Sequence, residues 1–296
     1  MSIPAAYIGV ILIWSTTPLA IKWSGEGVGF LFGVTGRMAL GVLAGLLVAT
    51  LLRMPLPWHG AARRTYVAAG LGIFVAMLMV YWSSQYIPSG WIAVLFGLAP
   101  IVTGVMAALW LGERSITPYR VGGMLLGLAG LGVIFIGAEA LGPKAIFGIA
   151  GVLVSVCTHS ASAVAIKRIN AGLPGLVVTV GGLLVAVPLF VAVYLLSATP
   201  LPVAVPLRAG LSIVYLGLVG SVLGFALYFY VLRQVEATRV ALITLITPVT
   251  ALLLGHLLNG EPIGAGVWVG TSAILMGLLL YEYGPRVVGC LRTTVS

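Results

Sequence analysis

The sequence predicts an all-α membrane protein in which ten transmembrane helices form two inverted five-helix repeats around a central cavity. Three observations lead there. Hydrophobic residues make up 61% of the chain and charged ones only 7%, with a mean hydropathy of +1.19, too few charges to cover a water-soluble surface of this size. Ten apolar runs approach the roughly 20 residues that a helix needs to cross hydrocarbon. One stretch, Leu95 to Arg114, also returns as Ile243 to Pro262. Pro100 and Pro248, Leu109 and Leu257, Gly112 and Gly260, and Glu113 and Glu261 each lie 148 residues apart, half of the 296-residue chain.

The spans fall at about 3–23, 29–52, 66–86, 89–111, 118–138, 145–166, 174–196, 209–232, 237–258 and 263–283. Residues 1–140 and 141–296 then each hold one five-helix repeat. The first run lacks a basic leader and a small-residue cleavage site, so it reads as a retained span rather than a signal peptide. The longest polar links, Arg53 to Thr65 and Ser197 to Arg208, are too short for a soluble domain. The loop charges orient the chain: with both termini cytoplasmic, eleven basic residues (Arg53, Arg63, Arg64, Arg114, Arg120, Lys167, Arg168, Arg233, Arg239, Arg286 and Arg292) face the cytoplasm. Lys22, Lys144 and Arg208 face outward. An odd number of spans per repeat makes the halves enter the membrane in opposite senses, which puts Glu113 inside and Glu261 outside. Glycines at small-xxx-small spacing, such as Gly123–Gly127 and Gly266–Gly270, suit close internal packing, with a dimer face as the alternative. No protein partner is obligatory on this reading, and the bilayer itself is the surrounding partner.

Pro100 and Pro248 fall near the middle of the fourth and ninth spans. A proline there removes a backbone hydrogen bond and strains the carbonyl four residues back, that of Phe96 or Thr244. It either shapes the packing or breaks a helix where it lines a pathway. Each copy stops at Gly-Glu, where glycine ends the helix and the carboxylate can cap the next one or close a gate.

The net charge of +9 is spread thinly between apolar runs and is no nucleic-acid signal. No phosphate-binding Gly-Lys-Ser/Thr loop, metal-ligand spacing or catalytic acid pair occurs, which points away from ATP-driven pumping and from an enzyme, and no cofactor is implied. All six acidic residues are glutamates at span ends, so the membrane interior offers only Arg37 and His159 as ionisable groups. His159 sits in the most polar stretch inside any span, Ser155 to Ser162, and is either a structural histidine or a substrate contact. Trp14, followed by Ser15, Thr16 and Thr17, lies at mid-membrane, where a polar cavity could take its N–H. Tyr81 and Trp82, Trp91, and Tyr228 are interfacial aromatics, or pathway walls where they face inward. Arg37 must snorkel, pair with Glu26 or Glu261, or meet a substrate carboxylate. The expected substrate-binding set is therefore Trp14, Ser15, Thr16, Tyr81, Trp82, Trp91, His159, Ser162 and Tyr228. The expected hinge and gate set is Pro100, Pro248, Glu113, Glu261 and Arg37.

On Trp14-Ser15, Arg37, the run from Tyr81 through Pro100 to Glu113-Arg114, and its second copy ending at Gly260-Glu261-Pro262, the chain resembles the drug/metabolite transporter superfamily, specifically its EamA-type exporters. The likeness runs over essentially the whole chain. It implies a basket of helices around a cavity formed by spans 1, 3, 4, 6, 8 and 9 and closed by 5 and 10. It also implies efflux of small metabolites from the cytoplasm, with the likeness strongest to inner-membrane exporters of aromatic and other neutral amino acids. Small multidrug-resistance relatives depend on a glutamate in their first helix, which this chain lacks. The function expected is secondary transport of small neutral, especially aromatic, amino acids by alternating access, with another small metabolite or a drug as the alternative cargo. Without an intramembrane carboxylate, facilitated diffusion or weak proton dependence is expected.

Overall fold

The computed structural model describes residues 2–112, 117–137, 142–235, 243 and 246–294. The expected gate residue Glu113 lies outside the described residues, as do Arg114, Glu139, Glu236, Arg239 and Thr244 and the side chains of Glu282, Arg286 and Arg292. Among the described residues there is no strand. The helices are α1 (Ile3–Ser24), α2 (Phe30–Leu51), α3 (Gly60–Ser83), α4 (Ser89–Phe96), α5 (Ala99–Leu111), α6 (Pro118–Gly137), α7 (Ala145–Ile169) and α8 (Gly175–Leu196). After them come α9 (Leu207–Tyr215), a π-helical stretch (Leu216–Leu223), α10 (Gly224–Gln234), α11 (Thr247–Asn259) and α12 (Ala265–Thr294). With α4–α5 counted as one passage and α9–α10 as another, seven of these are long and apolar enough to cross a membrane. Two shorter apolar stretches, Pro118–Ile134 and Ala265–Tyr281, and α11 bring the passages to the ten expected.

Three boundaries differ from expectation. The third helix begins at Gly60 rather than near 66, because the His59 side chain accepts the Ala62 N–H at 3.3 Å and caps it, and Arg63 and Arg64 extend a helix beyond its apolar part. The last helix likewise continues past 283 to Thr294. In the fourth span the proline does not kink a continuous helix. The chain leaves α4 at Gly97–Leu98, and Pro100 occupies the first turn of α5, where its missing N–H costs nothing. Pro248 occupies the same place in α11. Both α5 and α11 then end at a left-handed glycine, Gly112 (φ 68°) and Gly260 (φ 62°), a backbone region that glycine enters without a Cβ clash.

Three pairs of spans set about half a chain apart, α2 with α8, α4 with α11 and α6 with α12, pack against each other and run antiparallel. Gly90 of α4 faces Leu252 of α11, and Gly97, further along, faces Pro248. On α2 and α8, Gly41 faces Leu183 and Gly45 faces Val180. The pair α6–α12 is the closest seam. A Cβ on Gly130 would stand 2.6 Å from the Gly270 carbonyl, and one on Gly277 would stand 2.6 Å from that of Gly123. Glycine here lets two backbones touch where hydrocarbon gives no hydrophobic drive between helices. The remaining contacts also come in exchanged pairs. α3 packs on α7 as α10 packs on α1, and α5 packs on α7 as α11 packs on α1.

The seam sets a test. Gly130→Val drives a side chain into the backbone of α12 and should lower the thermal midpoint of the detergent-solubilised protein by the equivalent of about 1–3 kcal/mol. Gly132→Val, where nothing lies within 4 Å, should leave it unchanged.

Candidate functional site: a hollow between the broken spans

Trp14, Thr17, Pro18 and Ile21 of α1, Arg37 of α2, Met77 and Val80 of α3, Ile92, Ala93 and Phe96 of α4, His159 of α7, Phe225 of α10 and Thr247 of α11 surround one hollow. It leaves about 80 Å³ for the centres of water-sized molecules, room for several waters, so an aromatic solute would have to part the walls. Its lining is overwhelmingly apolar. Phe96 brings the break between α4 and α5 to its wall, Thr247 brings the first turn of α11, and Pro18, which carries no N–H, deprives the Trp14 carbonyl of its helical donor beside it.

Three of the lining rings, from α1, α4 and α7, pack with a fourth, Tyr228 of α10, which lines a smaller neighbouring pocket. His159 stands 5.7 Å from Trp14, 5.1 Å from Tyr228 and 6.1 Å from Phe96, centroid to centroid, and Trp14 lies 5.2 Å from Tyr228. The edge-on and tilted orientations are those that aromatic quadrupoles favour. Three of the expected site residues, Trp14, His159 and Tyr228, thus come together although 69 residues or more separate each from the next in sequence.

The other expected contacts lie elsewhere. The Ser15 hydroxyl donates to the Ile11 carbonyl at 2.8 Å and accepts from Thr250 at 2.7 Å, tying α1 to α11. Thr16 bonds Tyr215 of α9 at 2.6 Å. Ser162 donates to the Ala68 carbonyl at 2.9 Å and holds α7 to α3, on the wall of a smaller neighbouring pocket that also includes His159 and Tyr228. Trp82 packs edge-on against Tyr86 at 5.1 Å, and Trp91 and Tyr81 are buried without lining the hollow. Pro100 and Pro248 are buried at their helix starts. Phe96 and Thr247 were not singled out as contacts from sequence, although the paired prolines beside them marked the place.

Arg37 corrects an expectation. It pairs with neither Glu26 nor Glu261, because both are taken: Glu26 meets Arg208 at 3.5 Å and Glu261 meets Lys22 at 3.6 Å. Arg37 is 1% exposed, and its Nε donates to the Ser221 hydroxyl at 2.9 Å. Ser221 lies in the π-helical stretch, whose wider turns bring it and Gly220 against the guanidinium.

Glu261 corrects another. It does not cap the helix that follows it. Its Oε2 accepts from the Ser89 hydroxyl at 2.8 Å and the Gly90 N–H at 3.4 Å, at the start of α4 in the other half, where a helix N-terminus favours a carboxylate. Its Oε1 accepts from Asn259 at 3.0 Å, and Asn259 in turn accepts from the Trp23 indole at 3.0 Å. Lys22 also reaches the Ile87 carbonyl at 3.3 Å. This buried knot joins α1, α4 and α11 at one end of the molecule, the end that also holds the Glu26–Arg208 pair.

A helical bundle of membrane length, broken between α4 and α5 beside an apolar hollow, is the architecture of a multi-pass membrane transporter. The chain belongs to the EamA-like transporter family, whose model matches it twice, over residues 2–136 and 146–283. A "Probable terminal-alkyne amino-acid exporter" of Streptantibioticus cattleyicolor is 25% identical over 93% of this chain and 91% of its own length. The "Uncharacterized inner membrane transporter YedA" of Escherichia coli K12 is 26% identical over 94% of this chain and 90% of its own. A solved crystal structure, 22% identical, superposes with a TM-score of 0.69 over 97% of this chain and 99% of that one, and so has the same fold.

Ser221→Ala would leave Arg37 without the hydrogen bond that holds its Nε. Thermal unfolding in detergent should then show a loss of about 1–3 kcal/mol, and an unchanged midpoint would mean that Ser221 does not support the guanidinium.

Proposed function

We propose that this protein is a secondary transporter, not an enzyme, that exports small neutral, especially aromatic, amino acids across the cytoplasmic membrane by alternating access. The observation that carries the reading is the ring-walled hollow beside the α4–α5 break and the first turn of α11. Trp14, His159, Phe96 and Phe225 offer aromatic faces to an apolar side chain, and Thr17 and Thr247 offer hydroxyls to its polar end. Export from an inner membrane is supported by what the two named relatives are called.

The moving parts are two inverted five-span halves, residues 1–140 and 141–296. The antiparallel packing of corresponding spans and the exchanged contact pairs support that division, as does the double family match. Pro100 and Pro248, each at a helix start, serve as pivots, since a helix that is already interrupted can swing at the break without losing further backbone bonds. The Glu261 knot is the outer gate: Lys22, Ser89, the Gly90 N–H and Asn259 converge on one buried carboxylate and hold the outer ends of α1, α4 and α11 together. Glu113 would play the matching part on the cytoplasmic side. The absence of any carboxylate from the described lining supports facilitated diffusion or weak proton dependence.

Two measurements test this. Purified protein in liposomes should exchange labelled phenylalanine, tryptophan or another neutral amino acid, with Trp14→Ala reducing exchange roughly tenfold through lost ring contacts and a pH gradient changing it little. Protein that moves none of the twenty amino acids removes the reading. Separately, single cysteines at Gly112 and Gly260 should be labelled from opposite faces of the membrane. Labelling of both from one face would end the inverted arrangement.

A further inference from the structure

Arg37 carries a requirement that an apolar, ring-walled hollow does not explain. A guanidinium keeps its charge at any physiological pH and presents five N–H donors. Here one of them reaches Ser221, while Nη1 is buried with no hydrogen-bond partner. The Tyr81 ring stands 6.0 Å from Cζ, but no carboxylate among the described residues lines the hollow, and Glu26 and Glu261 are engaged elsewhere. A charge removed from water and left without a counter-ion is among the costliest groups a protein can hold. A planar fork with a spare arm is built to receive a carboxylate through two parallel hydrogen bonds.

We propose that Arg37 is the anchor for the carboxylate of the transported solute, and that the hollow therefore selects aromatic or apolar carboxylates whether or not they also carry an amino group. The proposal rests on the transporter reading above and narrows its substrate class. The spacing suits it. Gly220 and Gly224 lie about one turn apart along one span. A Cβ on the first would stand 3.3 Å from Arg37 Nη2, and a Cβ on the second 3.9 Å from the indole nitrogen of Trp14. Cation and indole thus border the same turn of one span, as the two ends of a short acid that carries an aromatic ring require.

An ammonium group finds no such fixed partner. Around it stand the neutral hydroxyls of Thr17 and Thr247 and the faces of the rings. These accept a cation beside a paired carboxylate, yet nothing among them demands one.

The test is a ligand series on the wild-type protein, read by ligand-induced thermal shift and by competition with labelled phenylalanine in liposomes. 3-Phenylpropionate, a carboxylate without an amine, should bind within a few-fold of phenylalanine. Phenylalanine amide, an amine without a carboxylate, should bind roughly 10- to 100-fold more weakly. Arg37→Gln should abolish that discrimination, and Arg37→Lys should keep part of it, retaining the charge without the fork. If Arg37 variants do not fold, the wild-type series decides alone. Amide and acid competing equally would overturn the anchor while leaving amino acid transport standing. Binding of phenylpropionate without transport of any amino acid would uphold the anchor and remove the amino acid reading, and no thermal shift with any of the carboxylates would overturn the anchor.

Discussion

Hydrocarbon offers no water to a backbone N–H or carbonyl, so every polar group of a span must be satisfied within the protein or beside a cavity. Most of this chain obeys by unbroken helix. Ser15, Thr16, Thr17, Thr50 and Thr65 even turn their hydroxyls back onto carbonyls three or four residues earlier. The exceptions cluster. α4 stops at Phe96 and α5 restarts at Ala99, Pro248 stands in the first turn of α11, and Pro18 removes one backbone bond inside the continuous α1. Gly97, in the first break, faces Pro248 at the start of α11. The break between α4 and α5, the bond missing at Pro18 and the first turn of α11 are thus gathered around one interior space, and the α6–α12 seam closes tightly.

Charge is distributed as sparingly. Among the described residues one basic side chain, Arg37, is fully buried, surrounded by rings and aliphatic side chains. At one end stands one well-satisfied anion, Glu261, with donors from three helices. These two groups meet opposite demands. Glu261 has about as many donors as its two oxygens can use, which stiffens the end of the bundle. Arg37 has donors to spare, and a polar group left short in a low-dielectric interior is usually a sign of function rather than of stability.

Much of this was legible in the sequence, and the reasons differ by element. The ten passages follow from hydropathy, and the meeting of the fourth and ninth spans follows from two prolines set half a chain apart. Trp14 and His159 stood out because an indole and an imidazole at mid-membrane are costly unless something polar is near. Tyr228 was less distinct, since aromatics gather at membrane interfaces whatever their role. Ser15, Thr16 and Ser162 look like site residues by composition, yet a hydroxyl that bonds a neighbouring carbonyl has the same composition. Arg37 is open to several partners in sequence, and the one it has, Ser221, is presented by π-helical turns that leave no periodic signature. Glu261 reads locally as a cap, and only tertiary packing shows that the helix it caps belongs to the other half.

The π-helical turns have a consequence for how this chain can vary. A π-turn accommodates a residue more than α-helical winding would place between the same two ends. Excising one residue from Leu216–Leu223 would let the span rewind as ordinary helix between the same two ends, so Phe225 and Tyr228 would keep their faces while the residues of the stretch itself shifted, and Ser221 would no longer address α2. Excising one from α10 instead, where no wider turn can absorb it, would turn everything after it by about 100° around the axis. The stretch is thus where this span can lose a residue at the cost of one contact rather than of a whole wall.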